Sequence, residues 1–95
     1  MKDTIITGRI EFEEKGFKDF NRNFKATLTE NAAFSYGNKT AVIIEWGEMD
    51  DGRKLETQYL DTRYDRTLKR DGSNFKEWLK TYFSDALRKH KLIID

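Results

Sequence analysis

Few side chains in this sequence are equipped to make or break a bond near neutral pH. There is one histidine, His90, and no cysteine. Thiolate chemistry and disulfides are therefore excluded by composition, and a zinc site, which needs several His or Cys ligands, lacks its donors. A serine–histidine relay would have to run through His90, which stands between Lys89 and Lys91 at the end of a basic run. No acid is placed by the sequence to orient the ring. His90 is expected to be a boundary histidine on a helix.

Carboxylates are the remaining candidates. Asp50 and Asp51 are adjacent, as are Glu13 and Glu14, and Asp61 and Asp65 flank Arg63 and Tyr64. Glu13-Glu14-Lys15 matches the Glu-x-Lys triplet of a restriction-type nuclease, but no upstream acid accompanies it. Asp50-Asp51-Gly52 lacks the spaced ligands of a calcium loop, and there is no glycine-rich phosphate loop. The expectation is a protein with no catalytic residue, no metal and no cofactor.

Binding chemistry has more to work with. In EWGEMDDGRKLETQYLDTRYDR, residues 45–66, tyrosines and arginines alternate with acids, and the basic run continues just beyond. Tyr59, Arg63, Tyr64, Arg66, Lys69 and Arg70 are the candidate partner contacts, because Tyr and Arg are enriched at binding hot spots. Trp46 and Trp78 could contribute, although their patterns place them in the core. Tyrosine can stack on unpaired bases while arginine holds phosphate. Asp61, Asp65 and Asp71 interrupt the cluster and would repel a nucleic-acid backbone, and strand parity separates Tyr59 and Arg63 from Tyr64.

Charge is balanced overall. The 18 basic and 17 acidic side chains leave +1, with 7 basic and 8 acidic residues in 1–48 against 11 and 9 in 49–95. That asymmetry is too small to imply phosphate binding by itself. The apolar patch in MKDTIITGRIEFEE is too short for a secretory signal, and no stretch approaches a membrane span. A cytoplasmic protein is expected, in which the Asn38-Lys39-Thr40 sequon is accidental.

The elements that must position these residues follow from periodicity. In TIITGRIEFEE, Ile6, Gly8, Ile10 and Phe12 alternate with Thr7, Arg9, Glu11 and Glu13, as in a half-buried strand. Gly8 marks a bend or a close backbone contact. Residues 16–31 fit two periods: Phe17, Phe20, Phe24 and Leu28 share a helical stripe, whereas Phe24, Ala26 and Leu28 also alternate. A helix near 17–25 followed by extended chain is expected. Gly37-Asn38 is expected to turn between strands near 33–36 and 40–48, with AVIIEW as the central strand. Asp51-Gly52 would turn into a long strand, RKLETQYLDTRYD, so that 33–64 form a three-stranded meander.

The last element is the clearest. From Ser73 as N-cap, Phe75, Trp78, Leu79, Tyr82, Phe83, Ala86 and Leu87 fall on one half of a helix. Arg88, Lys89 and Lys91 would face its negative end, with Asp85 and Lys89 paired at i,i+4. LIID would finish as an edge strand or pack on the core. The fold class is α+β: one compact domain with an antiparallel sheet of three to four strands, a C-terminal helix across one face, and, as an option, a second short helix after the first strand. This order resembles compact nucleic-acid-binding domains with a helix beside three strands, but their basic and glycine motifs are missing. Small size and the lack of chemistry suit a non-enzymatic accessory or inhibitor protein of the phage or mobile-element kind, engaging another protein. Single-stranded nucleic acid is the alternative partner and a carboxylate-metal nuclease a remote third, with self-association through a sheet edge also open.

Overall fold

The structure, a computed structural model, describes residues 4–34, 37–62 and 64–95; of 30–34 and 37–39 it describes the backbone alone. Five strands form one antiparallel sheet: β1 Thr4–Phe12, β2 Arg22–Phe34, β3 Gly37–Trp46, β4 Gln58–Asp61 and β5 His90–Ile94. Their order is β4-β3-β2-β1-β5, one strand more than the sequence pattern implied. Among the described residues one α-helix, α1, runs from Phe75 to Ala86. It leads from one edge strand, β4, to the other, β5, so it must cross the sheet.

Register puts the even-numbered residues of β1, β4 and β5, of β2 up to the irregularity after Thr29, and of β3 from Thr40 onward on the helix side. Ile10 faces Leu92 on β5 and Arg22 on β2; Ala26 faces Ile44, and Val42 faces Leu60. Ile10, Phe12, Phe24, Ala26, Leu28, Val42 and Ile44 close around Phe75, Leu79 and Phe83 of α1. The Phe83 ring meets Phe24 edge-on at 5.2 Å between centroids and lies 5.8 Å from Trp46. At roughly 2 kcal/mol for each buried large side chain, this docking, and not the intrinsic propensity of a 12-residue segment, holds α1.

Gly8 is needed where it stands. A Cβ there would collide with the Ile93 carbonyl oxygen, and the Phe24 ring lies across the space a side chain would fill. The close backbone contact expected of this residue is the β1–β5 pairing itself.

Several local expectations are corrected. No α-helix covers 17–25: a short 3-10 helix spans Lys15–Phe20, and β2 begins at Arg22. Asn21 makes the break, because its side-chain oxygen accepts the Phe12 amide at 2.8 Å while its own amide closes on the Lys18 carbonyl at 3.2 Å. Gly37 and Asn38, expected as the hairpin turn, instead pair with Phe34 and Ala33, and residues 35–36 lie outside the described residues. The turn at Asp51-Gly52 forms, with Gly52 at φ +91°, but it leads into irregular chain at 53–57 and β4 is only four residues long. The middle strand is β2; β3, which carries AVIIEW, lies between β2 and β4.

At the helix, Asn74 and not Ser73 holds the N-cap position, and its side chain ties the preceding loop instead of capping α1. Ala86 is exposed, while Trp78, Tyr82 and Leu87 are half-buried. The helix ends before Arg88 and Lys89, which pair with Glu14 and Glu13 at 3.5 Å and do not extend its last turn. LIID joins β5 at the sheet edge. His90 starts β5, half-buried near Phe12 and Phe83, with Nδ1 2.8 Å from the Arg88 carbonyl. No helix among the described residues is long and apolar enough to cross a membrane.

Candidate functional site

With α1 on one side, the odd-numbered residues of the sheet form an uncovered face. Register aligns four of them in one row across four strands: Ile5 opposite Thr27, Thr27 opposite Ile43, and Ile43 opposite Tyr59. At the normal strand spacing the row is about 14 Å long. Its ends are open, Ile5 at 53% and Tyr59 at 65% exposure, while Thr27 and Ile43 are more enclosed. In the next row Thr29 and Ala41 are buried and Asp61 is exposed.

The rest of this face is charged and largely self-paired. Arg9 holds the Asp50 carboxylate with contacts of 3.0 and 3.2 Å and reaches Glu11 at 3.5 Å. Lys25 stands opposite Glu45, and Thr7 donates to Asp95 at 2.9 Å. One half of the face is therefore apolar or hydroxyl-bearing apart from Asp61 at its edge, and the other is a largely paired polar margin.

The Tyr/Arg candidates do not form one platform. Tyr59 belongs to the uncovered face. Tyr64, Arg66, Lys69 and Arg70 lie in the loop that carries the chain to α1, with Leu68 buried in the core between them. Tyr64 is 81% exposed, and Arg66, Lys69 and Arg70 are exposed. Arg63 lies outside the described residues.

Local hydrogen bonds fix this loop. Asp65 Oδ1 accepts the Thr67 amide and hydroxyl at 2.8 and 2.6 Å, and its Oδ2 accepts the Trp78 indole N–H at 2.9 Å. Asn74 accepts the Lys69 amide and donates to the Thr67 carbonyl. The Asp65 carboxyl is held below the usual carboxylate range by Thr67 and Trp78, against the opposing effect of burial. The Ser73 amide lowers Asp71, and the Arg53 amide and guanidinium lower Asp51. On the helix side of the loop, Asp65, Glu77 and Asp85 line a groove with Trp78 and Tyr82, whose rings stack 5.5 Å apart at 4°. Negative charge thus stands beside the basic loop.

Among the described residues, no group of three or more His, Asp or Glu side chains converges as a metal-binding set. Glu13 and Glu14 are spent on Lys89 and Arg88, Asp50 on Arg9 and Asp51 on Arg53. Trp46 and Trp78 are half-buried, with their indole N–H groups donating to Gln58 and Asp65.

Two features escaped the sequence reading. Ile5 and Ile43 occupy outward parity, where a solvent-facing strand would carry polar residues; that mismatch was the available signal. Arg22 has inward parity, level with Phe24 and Ala26, and is buried. Compared with known protein families, curated proteins and solved structures, the chain shows no match to any of the three.

Proposed function

We propose that this chain is a non-enzymatic binding protein that engages another protein through the uncovered face of its sheet. The observation that carries this reading is the row Ile5–Thr27–Ile43–Tyr59 on the side away from α1, in which Ile5 and Tyr59 are exposed, Ile43 is partly exposed and Thr27 is buried. An apolar centre with a margin of mixed, mutually paired charges has the anatomy of a protein interface. A nucleic-acid surface would instead carry unopposed positive charge. Tyr59, at the row's open end, is the expected anchor. An accessory or inhibitory role acts by occlusion, and so needs no catalytic group.

The test compares the wild-type chain with Ile5→Lys and Tyr59→Glu in affinity capture from source cells, with Lys76→Glu on the exposed side of α1 as control. A protein retained by wild type and Lys76→Glu but lost with both face variants supports the reading, provided its addition slows amide exchange in β1–β4. A protein retained equally by all four chains refutes it. Concentration-dependent sedimentation abolished by Tyr59→Glu would instead assign the face to self-association.

Single-stranded nucleic acid is the second reading, favoured by the exposure of Tyr64, Arg66, Lys69 and Arg70 in one loop. It requires oligonucleotide binding that weakens steeply with salt and with Arg66→Ala/Arg70→Ala. No anisotropy change at low salt would dismiss it.

A further inference from the structure

A second feature, independent of the sheet face, lies on the helix side. A cleft of about 380 Å³ opens between the end of α1, the short 3-10 helix and the irregular segment after β3. Phe12, Phe17, Phe20, Leu55 and Leu87 supply apolar walls, and Arg22 lines the interior. Arg53 and Arg88 stand at the rim, each over an aromatic ring: Arg53 lies 4.7 Å from the centre of Phe20, and Arg88 lies 4.3 Å from that of Phe17.

Arg22 is the unexplained group. It is only 6% exposed, yet no carboxylate among the described residues pairs with it, whereas Arg53 has Asp51 and Arg88 has Glu14. Its guanidinium lies 4.4 Å over the Trp46 ring, and Nη1 donates to the Phe20 carbonyl at 2.8 Å. Its Nε is buried without any hydrogen-bond partner. A guanidinium stays protonated in proteins, so burying it without a counter-charge is costly. It also lines the adjoining cleft with Trp46, Gln58 and Leu87.

We propose that this cleft binds a small amphipathic carboxylate, with its oxygens on the Nε edge of Arg22 and its tail along Phe17, Phe20 and Leu55. Nη1 is committed to Phe20, and the edge that includes Nε matches a planar two-oxygen group. The apolar walls select a hydrocarbon or aromatic body over an inorganic anion, and the volume is in the range of small-molecule sites. Arg53 and Leu55 line the cleft from the exposed segment 51–57. The competing account is purely structural: carbonyls at the end of α1 partly offset the Arg22 charge, and no ligand is needed.

Octanoate, octylammonium and acetate separate the two accounts when titrated into the full chain and followed by NMR at the Arg22 Nε–H and Trp46 Nε1–H. Octanoate should shift both signals and bind about tenfold or more tightly than octylammonium, which has the same tail and opposite charge. Acetate, lacking the tail, should also bind more weakly. Arg22→Met should abolish the preference. Should that variant fail to fold, Leu55→Glu, which brings a competing carboxylate to the mouth, should weaken octanoate by a similar factor. Equal binding of octanoate and octylammonium, octanoate shifts confined to other residues, or a preference that survives Arg22→Met would overturn the proposal.

Discussion

Asp65 and Trp78 are joined by a 2.9 Å hydrogen bond from the indole N–H to one carboxylate oxygen, while the other oxygen accepts two bonds from Thr67. One side chain thereby fastens the loop after β4 to the first turn of α1. Removing it should loosen the loop and the helix start together. Asp65→Ala should cost about 2 kcal/mol near neutral pH, the scale of losing charge-assisted bonds at a partly buried site.

The same carboxylate sets an acid dependence. Asp65, Asp51 and Asp71 all have folded-state pKa values below the ordinary aspartate value. A depressed carboxylate contributes stability that is fully present above its unfolded pKa, about 3.9, and lost as pH falls through the folded one. Thermal melts should therefore be flat above about pH 5 and drop below about pH 4. The gap between wild type and Asp65→Ala should narrow at the acid end, and a gap of constant size would contradict this assignment.

Gly8→Ala should be damaging, although alanine is the smallest side chain that can be added. Its Cβ meets a backbone oxygen of β5, which cannot retreat without opening the β1–β5 ladder. A loss of about 1–3 kcal/mol is expected from urea unfolding, with amide exchange accelerating first at β5.

Gly72→Ala carries two costs. Gly72 has φ +79°, and a Cβ there would collide with the Thr4 side chain. Thr4→Gly should relieve the collision but not the backbone strain, which is of order 1 kcal/mol. The double variant should thus recover only part of the lost denaturation midpoint.

Phe83→Ala should leave the chain largely unfolded. The ring sits among Phe24, Trp46, Tyr82 and His90 with no exposed area. Truncating a buried phenylalanine costs about 3–5 kcal/mol, much of the stability a domain of this size has. Tyr59→Ala is the contrast: at 65% exposure it should change stability by less than about 0.5 kcal/mol. The capture experiment is interpretable when its own variant, Tyr59→Glu, also melts close to wild type.

Periodicity revealed the elements whose two sides differ. β1 and α1 were legible because Ile6, Ile10 and Phe12, and then Phe75, Leu79 and Phe83, repeat at one period only. Residues 17–28 satisfied two periods, and the choice rested on Asn21, whose side chain takes the Phe12 amide in a contact nine residues back along the chain. Sequence spacing does not encode that bond. β4 was overextended for a related reason: continuing the β3–β4 register puts Trp46, the last residue of β3, level with Glu56, so Arg53 to Leu55 have no strand to pair with.

The surface residues were less legible than the core. Tyr59 and Tyr64 are exposed as their types and neighbours suggested, yet they stand on different elements, Tyr59 on β4 and Tyr64 in the loop before α1, whose Leu68 is buried in the core. The apolar row was hidden because Ile43 looked like ordinary central-strand content. It became visible only when register aligned Ile5, Thr27, Ile43 and Tyr59.

The crossing of α1 from β4 to β5 has a consequence for synthesis. The four-stranded meander leaves the ribosome first, with Phe12, Phe24, Val42 and Ile44 facing water and the outer side of β1 bare. Neither is covered until the segment from Phe75 to Ile94 has emerged. For that interval the nascent chain carries both a greasy sheet and a sticky strand margin, the kind of intermediate on which holdase chaperones act.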